Sequence, residues 1–308
     1  MASGAAARGN AVGDLLAAMR PGQWTKNAVV AAAFFFALGD RSQRLDIVPD
    51  LLVTLAGVVL FCLTSGAVYI FNDLRDRESD RRHPEKRHRP IASGRLSVQR
   101  AWVGGTIVLA AAIAGSMALQ PSFAMVVVGY VLLQMTYSVW LKQLPLLDIQ
   151  IIAVGFVLRA LAGAVLLDVT ISPWLLLCAF LLALFLAVCK RRHERLDVGD
   201  GDASQRTTLL KYHPQLLDQI TAIVSAATIV SYSIYTLSPK TVEKFGSSAL
   251  GLTIPFVVFG IFRYLDLVYR HRLGDRPEKI VLTDLPLMAD LAAYGVTVLL
   301  IFITCRVS

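Results

Sequence analysis

A chain of 308 residues that is 56% hydrophobic and 17% charged, with a mean hydropathy of +0.60, is too apolar to be an ordinary soluble domain. Its net charge of +8 does not point to nucleic acid, because the sequence holds no nucleic-acid-binding module and its Lys and Arg collect between long apolar runs. Those runs approach the ~20 residues a helix needs to cross a bilayer, whereas a transmembrane barrel would show short alternating segments.

The predicted architecture is therefore an all-α integral membrane bundle of nine transmembrane helices with polar caps facing the cytosol. Residues 1–26 form a cytoplasmic N-terminal segment in which Val12, Leu15, Leu16 and Met19 make the stripe of a helix lying in the interface. No apolar run precedes Arg20, so no cleavable signal peptide is expected. Residues 27–308 form the membrane domain, with spans at 27–40, 51–71, 101–119, 122–141, 145–166, 172–189, 216–236, 247–266 and 285–304. With the N-terminus inside, 24 Lys and Arg lie on the inner face and 5 on the outer, which orients a multi-pass plasma-membrane protein. The inner segments 72–100, 190–215 and 267–284 are too long and polar to be simple connectors, and the last is long enough to act as a lid. The four cysteines are scattered and read as small core residues, and the five histidines show no zinc spacing.

The second span ends in "NDLRDRESD". On a continuing helix, Asn72, Asp73, Asp76 and Asp80 share one broad face, where like carboxylates repel unless a cation sits among them. Hard oxygen donors of this kind suit Mg²⁺ together with phosphate oxygens; a solvated helix end paired with neighbouring Arg is the alternative. The following "HPEKRHRPIASG" sets Lys86, Arg87 and Arg89 between two prolines, as a diphosphate clamp or as charge for anionic head groups. Gln23 and Lys26 in "RPGQWTKN" precede the first span, and Tyr69 lies in the last turn of the second. Lys190, Arg191 and Glu194 in "CKRRHERLD" close the sixth, with Lys190 and Glu194 spaced i, i+4. Arg159 lies inside the fifth span, where an arginine is expected to face a polar cavity or an anionic partner. Tyr137 and Lys142, at the inner end of the fourth, line the same cavity or serve as an interfacial anchor.

"NDLRDRESD" followed by "HPEKRHRPIASG" resembles the first Asp-rich motif and basic loop of the UbiA-type membrane prenyltransferase superfamily, along nearly the whole chain. That resemblance implies a helical bundle with a central cavity and Mg²⁺-dependent chemistry on a diphosphate. Members that prenylate aromatic rings usually carry a second Asp-rich motif after the sixth span; here "CKRRHERLD" is basic instead. With "RPGQWTKN" and "LRALAGA", that basic cap is similar to the decaprenyl-phosphate phosphoribosyltransferase branch. This branch transfers 5-phosphoribose from phosphoribosyl pyrophosphate to a polyprenyl phosphate for cell-wall arabinan precursors. It implies metal ligands among Asn72, Asp73, Asp76 and Asp80, with Asp73, Asp76 and Arg159 catalytic. Substrate would then be bound by Gln23, Lys26, Tyr69, Lys86, Arg87, Arg89, Tyr137, Lys142, Lys190, Arg191 and Glu194. The alternatives are an aromatic prenyltransferase and an anionic-metabolite transporter. Self-association stays open.

Overall fold

The computed structural model describes residues 10–41, 43, 45–198, 209, 211–270, 280 and 283–307. Among them every regular element is helical. In chain order these are α1 (Ala11–Ala18), a 3₁₀ segment (Pro21–Ala31), α2 (Ala32–Gly39), α3 (Ile47–Arg75) and α4 (Arg77–Arg82). There follow α5 (Val98–Leu119), α6 (Pro121–Val139), α7 (Leu147–Leu166), α8 (Pro173–Val198) and α9 (Pro214–Leu237). The chain ends with α10 (Pro239–Phe245), α11 (Ile254–Arg270) and α12 (Leu285–Val307).

Eight helical segments among the described residues are long and apolar enough to cross a membrane, and they coincide with eight of the nine predicted spans. The first predicted span, 27–40, has a different form. It is the end of the 3₁₀ segment followed by the eight-residue α2. The starts of the spans follow helix-initiation rules: Pro occupies the first turn of α6 and α9, where its missing N–H costs nothing, and Ser97 caps α5 by accepting from the Arg100 amide at 3.3 Å. The segment expected to lie in the interface contains α1, where Asn10 accepts from the Val12 amide at 3.3 Å. The segment 267–284 falls largely outside the described residues, and of 190–215 residues 199–208 and 210 do; α8 runs on to Val198 and α11 to Arg270.

The helices form a closed circle. α3, α5, α6 and α7 pack in sequence, α8 joins α7 to α9, and α11 and α12 follow until α12 meets α2. One core lies around Phe61, Phe123, Val127, Tyr130 and Ala162, and a second around Phe185, Val224, Ile261 and Leu267. Outward-facing residues such as Leu52, Leu55 and Val59 on α3 and Val103 and Ile107 on α5 are exposed, as a lipid-facing surface requires.

One close approach sets the position of the N-terminal segment. A Cβ on Gly163 of α7 would lie 1.9 Å from the carbonyl oxygen of Val30, so backbone touches backbone there. Gly163→Ala is expected to lower stability by about 1–3 kcal/mol, because a backbone cannot yield as a flexible side chain can. Thermal unfolding in detergent checks this, with Gly129→Ala, where nothing lies within 4 Å, as the silent control.

Candidate active site

The polar chemistry collects at one end of the circle, where α3 stops, α4 begins and the α6–α7 turn passes. The predicted continuous helix is interrupted: Asp76 leaves helical geometry (φ −88°, ψ 7°) and is both the last cap of α3 and the first of α4. The amide of Asp76 still bonds Asn72 O at 2.9 Å and that of Asp80 bonds Asp76 O at 2.8 Å, so the break shifts the axis without unwinding the turn.

The predicted metal ligands divide into two groups. Asp73 and Asp80 are seven residues apart, about 20° around a helix, and both turn inward to Arg89. Arg89 Nη1 donates to Asp80 Oδ2 at 2.6 Å and to Asp73 Oδ1 at 3.2 Å. Asp76, about 60° away, faces the α6–α7 turn, where Lys142 Nζ holds its two oxygens at 2.7 and 2.8 Å. Asn72 Oδ1 accepts from Ser138 at 2.6 Å. Among the described residues no three His, Cys, Asp or Glu side chains converge as a metal cluster. The four residues expected as ligands thus lie as a carboxylate pair at Arg89, a Lys142-bound carboxylate about 60° around the helix, and Asn72 on Ser138.

Arg20, which sequence reading left out, is central here. It pairs with Asp73 from the start of the 3₁₀ segment while its guanidinium lies 4.9 Å from the Tyr69 ring. Its backbone is left-handed (φ 53°, ψ 64°), a conformation that non-glycine residues seldom adopt without a functional or structural reason. Asp73 is 2% exposed, and its Oδ2 is buried without a hydrogen-bond partner. Two guanidinium groups thus compensate one buried carboxylate through a single oxygen, leaving the other available. Lys86 and Arg87 lie on the 3₁₀ turn just before Arg89. Burial and the Lys86 ammonium hold the His83 imidazole below its usual range, so it is neutral at pH 7, and its Nδ1 accepts the Glu85 amide at 3.2 Å.

The α6–α7 turn links this cluster to a second. Lys142 reaches back to Asp76, and six residues later Asp148 at the start of α7 meets Arg191 Nη2 at 2.8 Å. Arg191 Nη1 donates to Glu194 Oε2 at 2.6 Å, so Arg191 takes the carboxylate that sequence spacing offered to Lys190. Lys190 itself is half-buried at the same end of α8, and Tyr137 is half-buried near the end of α6. Tyr212 donates to Asp148 and its hydroxyl accepts the Leu146 amide at 2.6 Å. Burial and that bond to Asp148 raise the Tyr212 phenol above its ordinary range, keeping it a proton donor. The Leu146 backbone it holds has φ 70°, a second left-sided residue at this site. Beside it, Arg192 Nε binds Asp218 Oδ1 at 2.5 Å, and the guanidinium stacks 3.8 Å from the Tyr269 ring.

Two more predicted site groups lie on the 3₁₀ segment, where the Gln23 amide bonds Arg20 O at 2.8 Å, and within α7. Lys26 Nζ donates to Gln23 Oε1 at 2.5 Å on the 3₁₀ segment. Arg159 is buried in the bundle about 16 Å along α7 from Asp148, bonded to Asn27 Oδ1 (2.9 Å), Gly155 O (3.0 Å) and Tyr130 OH (2.8 Å). All three are neutral, so of the polar surroundings or anionic partner expected of a mid-span arginine the protein itself supplies the former, as dipoles and aromatic rings, with Tyr130 at 4.9 Å. Asp148 and Tyr212 were missed in the sequence along with Arg20. The only local signal was an acidic residue in the first turn of a helix, favourable there but too common to be diagnostic.

A separate apolar cavity of about 490 Å³ lies between α2, α8, α9, α11 and α12. It runs from Tyr264 and Asp290, toward the charged end, to Asp40, Thr170 and Lys244 at the other.

Comparison with known proteins places this geometry among relatives. Residues 27–280 match the UbiA prenyltransferase family. The chain is 33% identical over 282 residues to a decaprenyl-phosphate phosphoribosyltransferase of Mycolicibacterium smegmatis, covering 89% of this chain and 88% of that protein. It is 32% identical over 291 residues to the protein of that name from Mycobacterium tuberculosis, covering 94% of each. Among solved structures, a UbiA homolog from Archaeoglobus fulgidus bound to DMAPP and Mg²⁺ aligns with a TM-score of 0.68 at 18% identity, over 96% of this chain and 98% of that one. At that identity the likeness establishes the fold alone.

Proposed function

Because this chain belongs to the UbiA prenyltransferase family, we propose that it transfers 5-phosphoribose from phosphoribosyl pyrophosphate to a polyprenyl phosphate at its charged end. The observation that carries this reading is the pair of clusters joined by the α6–α7 turn. An acidic pair at Asp73 and Asp80 is faced across Lys142 by the basic end of α8, with Arg191 and Arg192, where a second acidic motif would suit a prenyl diphosphate. The named relatives, matched along nearly the whole chain, support the same substrates. The excess of Lys and Arg on this side, 24 against 5, supports reading it as the cytoplasmic face. The product would serve cell-wall arabinan synthesis.

Asp73 and Asp80 fit a divalent cation such as Mg²⁺: both are hard carboxylates, Asp73 Oδ2 is buried without a hydrogen-bond partner, and the Arg89 cation spans the pair. Bound there, the metal would supply neutralising charge to the diphosphate. Arg89 and Lys86 neutralise phosphate oxygens beside it, and Arg20 orients Asp73. Lys142 sits between the two clusters, where a second phosphate would meet it. The C1–O bond to pyrophosphate breaks, its electrons leave with the pyrophosphate, and a phosphate oxygen of the lipid forms the new bond to C1. That nucleophile is already ionised at neutral pH, so the chain needs to position it and neutralise the leaving group rather than deprotonate it. The apolar cavity beside the charged end offers the isoprenoid chain a place among the helices.

Purified protein with Mg²⁺, radiolabelled phosphoribosyl pyrophosphate and polyprenyl phosphate should move label into the organic phase. Absence of labelled lipid, together with activity on a prenyl diphosphate and an aromatic acceptor, would replace this reading with prenyl transfer.

A further inference from the structure

The 3₁₀ segment Pro21–Ala31 is 11 residues long, although such runs seldom exceed about four because their hydrogen bonds are poor and their side chains eclipse. Its burial nonetheless repeats every third residue. Gly22, Thr25 and Ala28 are exposed; Gln23, Lys26 and Val29 are half-buried; Asn27 and Val30, in line with Trp24, are buried. The three-fold winding is therefore held from outside, through the inward line.

Contacts with α3 and α7 hold it. Val30 lies backbone-to-backbone on Gly163. Asn27, 1% exposed, donates to Ser65 Oγ of α3 at 3.0 Å and accepts from Arg159 Nε of α7 at 2.9 Å. Arg159 is itself fixed on its other two nitrogens by Gly155 O and Tyr130 OH, so its direction is set before it meets Asn27. We infer that Arg159 is a positioning residue: acting through Asn27, it locks the 3₁₀ winding that places Arg20 on Asp73 and stacks Lys26 on Gln23.

The consequence of losing the lock follows from helix geometry. A 3₁₀ helix rises ~2.0 Å per residue and an α-helix ~1.5 Å, so relaxation to α over the seven residues from Arg20 to Asn27 would draw Arg20 in by about 3.5 Å. The same change would turn Gln23 by about 60° relative to Lys26, so the two would no longer eclipse. A displacement of that size breaks a hydrogen-bonded ion pair, and misplacement by about 1 Å can already cost about 100-fold in rate.

The kinetic part of this inference rests on the phosphoribosyl-transfer reading; the structural part does not. Arg159→Lys keeps the charge and loses the fork, and Asn27→Ala removes the acceptor without adding charge. In the full-length protein in detergent, both should speed amide hydrogen exchange across 21–31 while leaving α5 and α6 unchanged. Both should also raise KM for phosphoribosyl pyrophosphate about tenfold or more with KM for the lipid kept, and Arg20→Ala combined with Arg159→Lys should be no worse than Arg20→Ala alone. Unchanged exchange across 21–31 in Asn27→Ala, or losses that multiply in the double variant, would overturn the inference. If Arg159→Lys does not fold, Asn27→Ala decides. A wild-type protein without transfer activity would sink the functional reading and leave the exchange result to judge the positioning role.

Discussion

Asp73→Asn is expected to reduce phosphoribosyl transfer by about two to three orders of magnitude while leaving a folded protein, the scale on which loss of one preorganised electrostatic group acts. Asparagine keeps the volume and one acceptor oxygen, so the Arg20 and Arg89 contacts on Oδ1 survive in part. It replaces the unpartnered, buried Oδ2 by an NH₂ group, which repels a metal and neighbouring cations. Arg89 retains Asp80 at 2.6 Å and both arginines are partly exposed, so the stability cost stays well below that of breaking a fully buried pair. Initial rates across a Mg²⁺ titration, alongside thermal unfolding in detergent, check the expectation. Full activity at ordinary Mg²⁺ would remove Asp73 from the site. Asp76→Asn tests a different interaction, since Asp76 is held by Lys142 rather than by Arg20 and Arg89.

The second large effect belongs to Arg191. It is 5% exposed, and the Asp148 it neutralises is 1% exposed. Removing one partner of a buried pair strands the other, which typically costs about 3–5 kcal/mol. Arg191→Ala should therefore lower the unfolding midpoint sharply, with the α6–α7 turn the first part to loosen, because Tyr212 depends on Asp148 and holds Leu146 in its left-handed conformation. Adding Asp148→Asn should recover part of the loss, since the stranded charge is then gone; an additive double variant would show that the two side chains do not act as a pair. The same experiment separates stability from substrate contact: activity that stays low after stability is recovered assigns Arg191 a role toward substrate as well.

Legibility differed by kind of feature. The spans could be read because burial in lipid demands a long apolar helix wherever it occurs, whatever its neighbours; α3 was predicted at 51–71 and is Ile47–Arg75. Helical phase put Asn72, Asp73, Asp76 and Asp80 on one broad face, and within it Asp73 and Asp80 do meet at Arg89. The identity of each cation's partner could not be read. Lys190 and Glu194 had the favourable i, i+4 spacing, yet Arg191 at i, i+3 took the carboxylate because Asp148 of α7 had already drawn it inward. Arg20 looked like an N-terminal flanking charge, and only the packing of the 3₁₀ segment against α7 carries it over Asp73.

The sequence by itself determined the class, the places of eight long apolar helices and the segments in which charge collects. Each follows from hydrophobicity and helical period, properties of local stretches of chain. The tertiary structure alone decided that residues 21–31 wind as 3₁₀ rather than α, that Arg159 meets Asn27 inside the bundle, and that the acidic residues split between Arg89 and Lys142. These are choices among near-equal local conformations and partners. They are settled by contacts from residues dozens to over a hundred positions away, at Gly163, Tyr130 and the α6–α7 turn, which no local pattern encodes.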